Sequence, residues 1–131
     1  MSNELTKVDS SAITMIDSHA LGDLIKPMIR DIHLFDTYVA GTTHLQDQSV
    51  LEKILVGDEL SLQREDNPFD KKAILVLTGQ KQKLGYIPEK DNVIFSRLMD
   101  AGKTLKAKIT KIEQKDEWYT RVSIGIYLVD L

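Results

Sequence analysis

The 131-residue sequence predicts a mostly β domain: a closed or nearly closed antiparallel β-barrel of about six strands with two or three short helices. Two observations lead to this prediction. From Phe35 onward, short segments rich in strand-forming residues are separated by Gly, Pro, Asn and Asp. These segments do not alternate regularly with helical patterns, which argues against a parallel α/β sheet.

Residues 1–33 differ from the rest and are assigned to an N-terminal helical arm or linker, which leaves the barrel domain at 34–131. The arm can pack on the domain, pair with another copy or serve as a linker, and the sequence leaves these alternatives and the oligomeric state open. Its apolar residues approximate one helical face before Pro27 interrupts the pattern: Ile13, Ile16, Ala20, Leu21, Leu24 and Ile25.

The first half of the domain predicts a strand over 38–43, which is rich in strand formers, and a short helix over 49–56. Residues 59–64 alternate polar and apolar side chains, as expected of a half-buried strand. Residues 65–70, which include Asn-Pro, give a strong turn signal.

The second half predicts a central strand over 73–77 and a return strand over 83–87, then a helix over 92–101 with Asp91 as its N-cap. Alternation predicts two final strands, with Trp118 among the core residues of the second. The predicted buried face of the helix comprises Val93, Ile94, Arg97, Leu98 and Ala101.

The sequence has no cysteine, which excludes disulfides, thiolate metal sites and cysteine nucleophiles. The first residues lack the basic region of a signal peptide, and no apolar run reaches the roughly 18 to 20 residues that span a bilayer. We therefore expect a soluble, cytoplasmic protein with no membrane contact.

The formal net charge of −3 hides an uneven distribution. Residues 1–70 carry 5 Lys+Arg against 13 Asp+Glu, whereas residues 71–115 carry 11 against 4. The second segment can present a positive face to nucleic acid, or its lysines can simply solvate an exposed sheet face; the charge alone does not choose.

One ordered set of motifs is more specific than composition. The segments are Phe35, Val39-Ala40-Gly41, Gly57-Asp58, Leu60 to Arg64, Asn67-Pro68-Phe69-Asp70, Ala73-Ile74-Leu75-Val76, Gly85-Tyr86-Ile87-Pro88 and Gly102 to Ala107. Their order and spacing over about 34–112 resemble the HIRAN domain family.

The resemblance implies a modified OB-like six-stranded barrel that binds DNA, with end-binding members that grip the 3′-hydroxyl end of single-stranded DNA. Such domains occur at the N-terminus of SWI/SNF-type ATPases that remodel stalled replication forks, and as free-standing modules or nuclease fusions in bacteria and phages. A helicase, ATPase or nuclease partner is therefore expected in repair, recombination or fork processing.

The family pattern and the physics of each side chain together suggest nucleic-acid-binding roles. Phe69 can stack on an unpaired base, and Asp70 can accept a hydrogen bond from a terminal hydroxyl where a phosphate would be repelled. The other candidates are Asn67 as an amide donor, Tyr86 for stacking or hydrogen bonding, and Lys71, Lys72, Lys83 and Lys90 for phosphates.

Each role has a structural alternative that the sequence leaves open. Asp70 can complete the turn by accepting backbone N–H groups, Phe69 can plug the barrel end, and Tyr86 can lie at the core edge. Arg64 is expected to pair with a nearby carboxylate such as Glu65 or Asp66 rather than with phosphate. The motif glycines are expected to allow particular backbone conformations rather than to contact a ligand.

The chain departs from the end-binding pattern after the first strand. Those members carry an arginine and an aromatic residue there, and this chain has Thr43-His44. Thr43 can donate to a phosphate and His44 can stack, but neither replaces a bidentate arginine. The lysine expected at position 89, just after the Gly-Tyr-Ile motif, is replaced by Glu89, and a lysine follows one position later at Lys90.

No pattern of catalysis is present: the three histidines, His19, His33 and His44, lack ligand spacing, and no nucleophile–base set or glycine-rich phosphate loop occurs. We therefore expect a non-enzymatic DNA-binding module without metal or cofactor. The alternatives are a protein-interaction or scaffold module that has lost end recognition, and an RNA-binding OB-like domain.

Overall fold

The computed structural model describes residues 30–130. They form six strands, one α-helix and two short 3-10 helices, at Thr42–His44 and Gln48–Glu52. The strands are β1 (Arg30–Tyr38), β2 (Glu59–Arg64), β3 (Ile74–Leu77), β4 (Lys83–Tyr86), β5 (Leu105–Gln114) and β6 (Thr120–Asp130), and the helix α1 is Glu89–Asp100.

The strands form one antiparallel sheet in the order β1-β6-β5-β2-β3-β4, so β1 and β4 lie at its edges. The sheet is not closed into a barrel, and that part of the prediction is wrong. One isolated bridge joins the two edges, where Ala40 N–H donates to Tyr86 O (2.8 Å) and Tyr86 N–H donates to Ala40 O (2.9 Å). The pairing stops there because Gly41 adopts a left-handed conformation (φ 82°) and turns the chain into the first 3-10 helix.

Gly85 permits this single bridge. A side chain at this position would place its Cβ 2.3 Å from Ala40 O and 2.6 Å from Val39 Cγ1. The segment after β1 therefore crosses β4 at a distance that only glycine allows.

The first strand begins earlier than predicted. Residues 30–33, which the sequence assigns to the helical arm, lie in β1, and the predicted strand 38–43 is mostly the bridge and the first 3-10 helix. The predicted apolar face of the arm lies outside the described residues. The strand prediction for 59–64 is confirmed, and the predicted helix at 49–56 is the shorter 3-10 helix Gln48–Glu52.

The helix α1 begins directly after Pro88, so Asp91 lies in its first turn and is not its N-cap. Two acidic residues, Glu89 and Asp91, stand in that turn, where they complement the helix dipole. The predicted apolar face is displaced: Ile94 is 67% exposed, whereas Phe95 is buried and packs against Phe35, with ring centroids 5.7 Å apart.

The hydrophobic core lies on one side of the sheet, under α1 and the second 3-10 helix. Its members on the strands are alternate residues, as the period-2 pattern predicts. Its members are Val39, Val50, Ile54, Leu60, Ile74, Val76, Leu84, Ile87, Phe95, Leu105, Ala107, Ile109, Val122, Ile124 and Ile126.

Candidate nucleic-acid interface

The turn between β2 and β3 presents one aromatic side chain to solvent. Asn67 Oδ1 accepts the Phe69 N–H (2.8 Å), and the Asp70 N–H donates to Asn67 O (3.2 Å). This Asx turn is formed by the Asn-Pro sequence itself. It leaves Phe69 95% exposed, so Phe69 does not plug the end of the fold.

Asp70 joins this turn to α1. Its Oδ1 accepts the Lys72 N–H and its Oδ2 accepts the Asn92 side-chain amide, both at 2.9 Å. Asn92 is only 2% exposed. Asp70 therefore has the structural role that the sequence left open, whatever it does toward a ligand.

Arg64 holds the other side of the turn. Its guanidinium donates to Ala73 O (2.6 Å) and Lys71 O (2.8 Å) and forms an ion pair with Asp100 (2.9 Å). The prediction that Arg64 pairs with a carboxylate is confirmed, but the partner lies at the end of α1 and is neither Glu65 nor Asp66.

Tyr86 is half-buried, and its orientation is set by its hydroxyl. The hydroxyl donates to Glu65 Oε1 (2.7 Å), which also accepts the Asn67 side-chain amide (3.3 Å). The Lys83 ammonium lies 4.7 Å from the centre of the ring, as in a cation–π contact. One face of Tyr86 is thus covered, whereas Phe69 is open.

Four predicted residues surround one groove of about 230 Å³, which we call the main groove. Its charged lining residues, Asp70 and Glu89, are both acidic. The lining comprises Ala40, Gly41, Asn67, Phe69, Asp70, Ala73, Tyr86, Ile87 and Glu89. The structure therefore brings Asn67, Phe69, Asp70 and Tyr86 together, as the motif spacing suggests.

The predicted lysines are spread around this groove rather than inside it. Lys71 and Lys72 are exposed, and Lys71 lines an adjacent depression with Asn67. Lys83 lies over Tyr86, and Lys90 forms an ion pair with Asp91 (2.9 Å).

Thr43 and His44 lie on the first 3-10 helix and face two further grooves. His44 shares a groove of about 510 Å³ with Lys83. Thr43 lines a groove of about 820 Å³ with Trp118, which is 74% exposed. The prediction that Trp118 belongs to the core is wrong, because it lies in the loop between β5 and β6, before the alternating pattern begins.

Much of the basic excess of residues 71–115 is neutralised locally. The Lys106 ammonium donates to Asp31 (2.9 Å) and Glu59 (3.1 Å), which lowers the pKa of Asp31 and raises the pKa of Lys106. The Lys111 hydrogen bond likewise lowers the pKa of Glu113. These lysines therefore do not form one free positive face.

Sequence reasoning missed two residues that organise the site. Glu65 orients Tyr86. Glu65 is the first residue of the predicted turn 65–70, and this is the only feature of the sequence that could have indicated it. Asn92 supports Asp70 from α1, a contact that no local pattern indicates.

Within residues 30–130, no group of three or more His, Asp or Glu side chains is arranged to hold a metal ion. Nor does this part of the chain contain a helix long and apolar enough to cross a membrane.

The comparisons with known proteins agree with this architecture. The HIRAN domain family model matches residues 32–129, and the chain belongs to this family. A crystal structure of a protein from Lactobacillus plantarum is similar with a TM-score of 0.72 and 30% identity, covering 79% of this chain and 99% of that one. The crystal structure of the HIRAN domain of human HLTF is similar with a TM-score of 0.60 and 15% identity, covering 76% and 79%. No curated protein matches the sequence.

Proposed function

We propose that this HIRAN domain is a non-catalytic module that binds single-stranded DNA at the main groove, with a preference for exposed 3′ ends. The observation that carries the proposal is Phe69: an aromatic side chain, 95% exposed, on a turn fixed by side-chain hydrogen bonds. Burying a base against it offsets the cost of exposing so large an apolar surface.

We assign different parts of a nucleotide to different residues around Phe69. The base stacks on Phe69, because one face of Tyr86 is covered by Lys83. Lys71 and Lys72, exposed beside the turn, bind the backbone phosphates without reading sequence. His44 and Lys83 share the adjacent groove and provide a place for the next part of the strand.

The preference for an end follows from charge. Asp70 and Glu89 line the main groove, and a phosphate placed between them would be repelled. A terminal nucleoside carries a free hydroxyl, which can donate to a carboxylate oxygen. Each oxygen of Asp70 already accepts one hydrogen bond, but a carboxylate oxygen has a second lone pair for the ligand.

Fluorescence anisotropy with a short labelled single-stranded DNA tests this site. We expect binding that weakens as salt rises, since lysine contacts release counterions. Phe69→Ala removes about 1 to 3 kcal/mol of stacking, a loss of roughly 5- to 150-fold in affinity, whereas Phe69→Tyr retains binding. The matched control is Leu55→Ala, because Leu55 is also exposed (68%) but lies away from the groove.

Two results would refute the proposal: no binding at low salt, or Phe69→Ala and Leu55→Ala with equal affinity. The end preference is tested separately with the same strand carrying a 3′-hydroxyl or a 3′-phosphate. Equal affinities would remove end recognition and leave single-strand binding intact. Any remodelling or cleavage of the bound DNA is expected to come from a helicase, ATPase or nuclease partner.

A further inference from the structure

A second groove, which shares no lining residue with the main groove, lies beside the loop that joins β5 to β6. We call it the hairpin groove. Its volume of about 820 Å³ is within the range of small-ligand sites. It is lined by Thr43, Leu45, Gln48, Leu51, Glu52, Ile112, Gln114, Glu117, Trp118 and Thr120.

Trp118 stands at this groove with 74% of its surface exposed. Tryptophan is enriched among binding hot spots, and it buries a large apolar area with few rotatable bonds. Partly buried Leu51 and Ile112 add apolar surface to the lining. The groove therefore offers an aromatic anchor with an aliphatic floor.

The hairpin loop is held in place before any ligand arrives. The backbone N–H of Trp118 donates to Asp116 Oδ1 (3.0 Å), and the backbone N–H of Lys115 donates to Tyr119 O (2.9 Å). At the base of the loop the Thr120 hydroxyl donates to Gln114 Oε1 (2.8 Å). A preorganised loop loses little conformational entropy on binding.

The hairpin groove, like the main groove, has only acidic residues among its charged lining, but none of the lysines proposed to bind DNA phosphates shares its lining or lies over one of its side chains. Both charged residues that line it, Glu52 and Glu117, are acidic. Two carboxylates beside an indole repel a phosphate backbone and attract a cation, which can also lie over the indole face.

We propose that the hairpin groove docks a segment of a partner protein that presents an arginine or lysine between aliphatic side chains. The cation lies over Trp118 and pairs with Glu52 and Glu117, and the aliphatic side chains pack on Leu51 and Ile112. This surface is separate from the main groove and does not depend on DNA binding, so the domain can hold a protein and a DNA strand together.

Trp118 is the only tryptophan in the sequence, so a single indole N–H signal in an NMR spectrum of the full chain reports on the groove. The probe is the blocked peptide Ac-Gly-Leu-Arg-Leu-Gly-NH2. We expect a saturable shift of the indole signal with this peptide. The citrulline analogue, which lacks the charge, should bind more weakly, and the glutamate analogue should leave the signal in place.

The charged residues are tested by Glu52→Gln with Glu117→Gln, which should weaken the arginine peptide about three- to tenfold, as expected for two exposed ion pairs. The matched control, Asp66→Asn with Glu89→Gln, removes the same charge near the main groove and should leave the affinity unchanged. Phe69→Ala should also leave it unchanged, which separates this site from the DNA site.

Three outcomes would overturn the proposal. One is an indole signal that no peptide shifts, and another is equal binding of the arginine and glutamate peptides. The third is a saturable shift by short single-stranded DNA that the arginine peptide does not reproduce, which would assign the groove to nucleic acid.

Discussion

Removing the Asp70 carboxylate should destabilise the fold by an amount that depends on Asn92. The side-chain amide of Asn92 donates to Asp70 Oδ2 at 2.9 Å, and Asn92 is 2% exposed. Asp70→Ala therefore leaves a buried donor without its partner and also removes the acceptor of the Lys72 N–H. Water can replace the second contact, because Lys72 is exposed, but reaches the first with difficulty.

The expected cost combines these two effects. A hydrogen bond to a charged group contributes about 1.5 to 3 kcal/mol, and a buried unsatisfied donor costs about 1 to 3 kcal/mol. The two figures partly describe the same lost hydrogen bond, so they are not added in full. We expect Asp70→Ala to lower the free energy of unfolding by about 2 to 3 kcal/mol. Asp70→Asn keeps one acceptor oxygen and should cost about half as much.

Urea denaturation followed by circular dichroism measures this cost, and a double-mutant cycle with Asn92→Ala isolates the pair. The double variant should be less destabilised than the sum of the single variants by at least about 1 kcal/mol. A cost of Asp70→Ala below about 0.5 kcal/mol, or a coupling energy near zero, would refute the reasoning. Effects of Asp70→Ala on DNA binding must be measured where the variant is fully folded.

Three further predictions concern the parts of the fold that support the site. Gly85→Ala should destabilise the protein by about 2 kcal/mol or more in the same urea assay, because its Cβ would meet Ala40 O at 2.3 Å. The control is Gly79→Ala, whose Cβ meets nothing within 4 Å. Equal effects of the two substitutions would contradict the close approach of Ala40 to Gly85. Arg64→Ala should cost about 1 to 2 kcal/mol through its carbonyl contacts, and a fully stable Arg64→Lys variant would show that the guanidinium is not required. The hydrogen bond from Lys106 lowers the pKa of Asp31, so the ion pair stabilises the fold above the unfolded-state pKa of Asp31, and this stabilisation is lost as the pH falls through the lowered folded-state pKa. The loss of unfolding free energy caused by Asp31→Asn should therefore shrink in acid. A loss that is independent of pH would exclude the ion pair as its cause.

The residues of the main groove show how far local sequence reaches. Asn67, Phe69 and Asp70 lie in one short turn whose geometry Asn-Pro prescribes, so their proximity was predictable. The sequence did not predict which of them is exposed and which is hydrogen-bonded to another element. Whether Phe69 is buried or exposed depends on what packs above the turn, and only the structure shows that, among residues 30–130, it is left 95% exposed.

The helix and the hairpin loop show where pattern reasoning failed. Periodicity placed Ile94 on the buried face of α1, but the helix is rotated so that Phe95 meets Phe35. Alternation extended β6 back to Trp118, although the strand begins at Thr120. In both cases the apolar pattern identified the element, but packing against distant residues set its exact limits and orientation.

The sequence by itself determined the family, the strand at Glu59–Arg64, the turn that follows it and the alternating core of β6, because these depend on neighbouring residues and on a period of two. The tertiary structure decided what the same residues do. Asp70 contacts Asn92 across 22 positions, Arg64 contacts Asp100 across 36, and the sheet stays open because Gly41 ends the contact between its edges at one bridge. These contacts join residues that are distant in the chain, so their partners are chosen by how the strands and α1 pack and not by local preference.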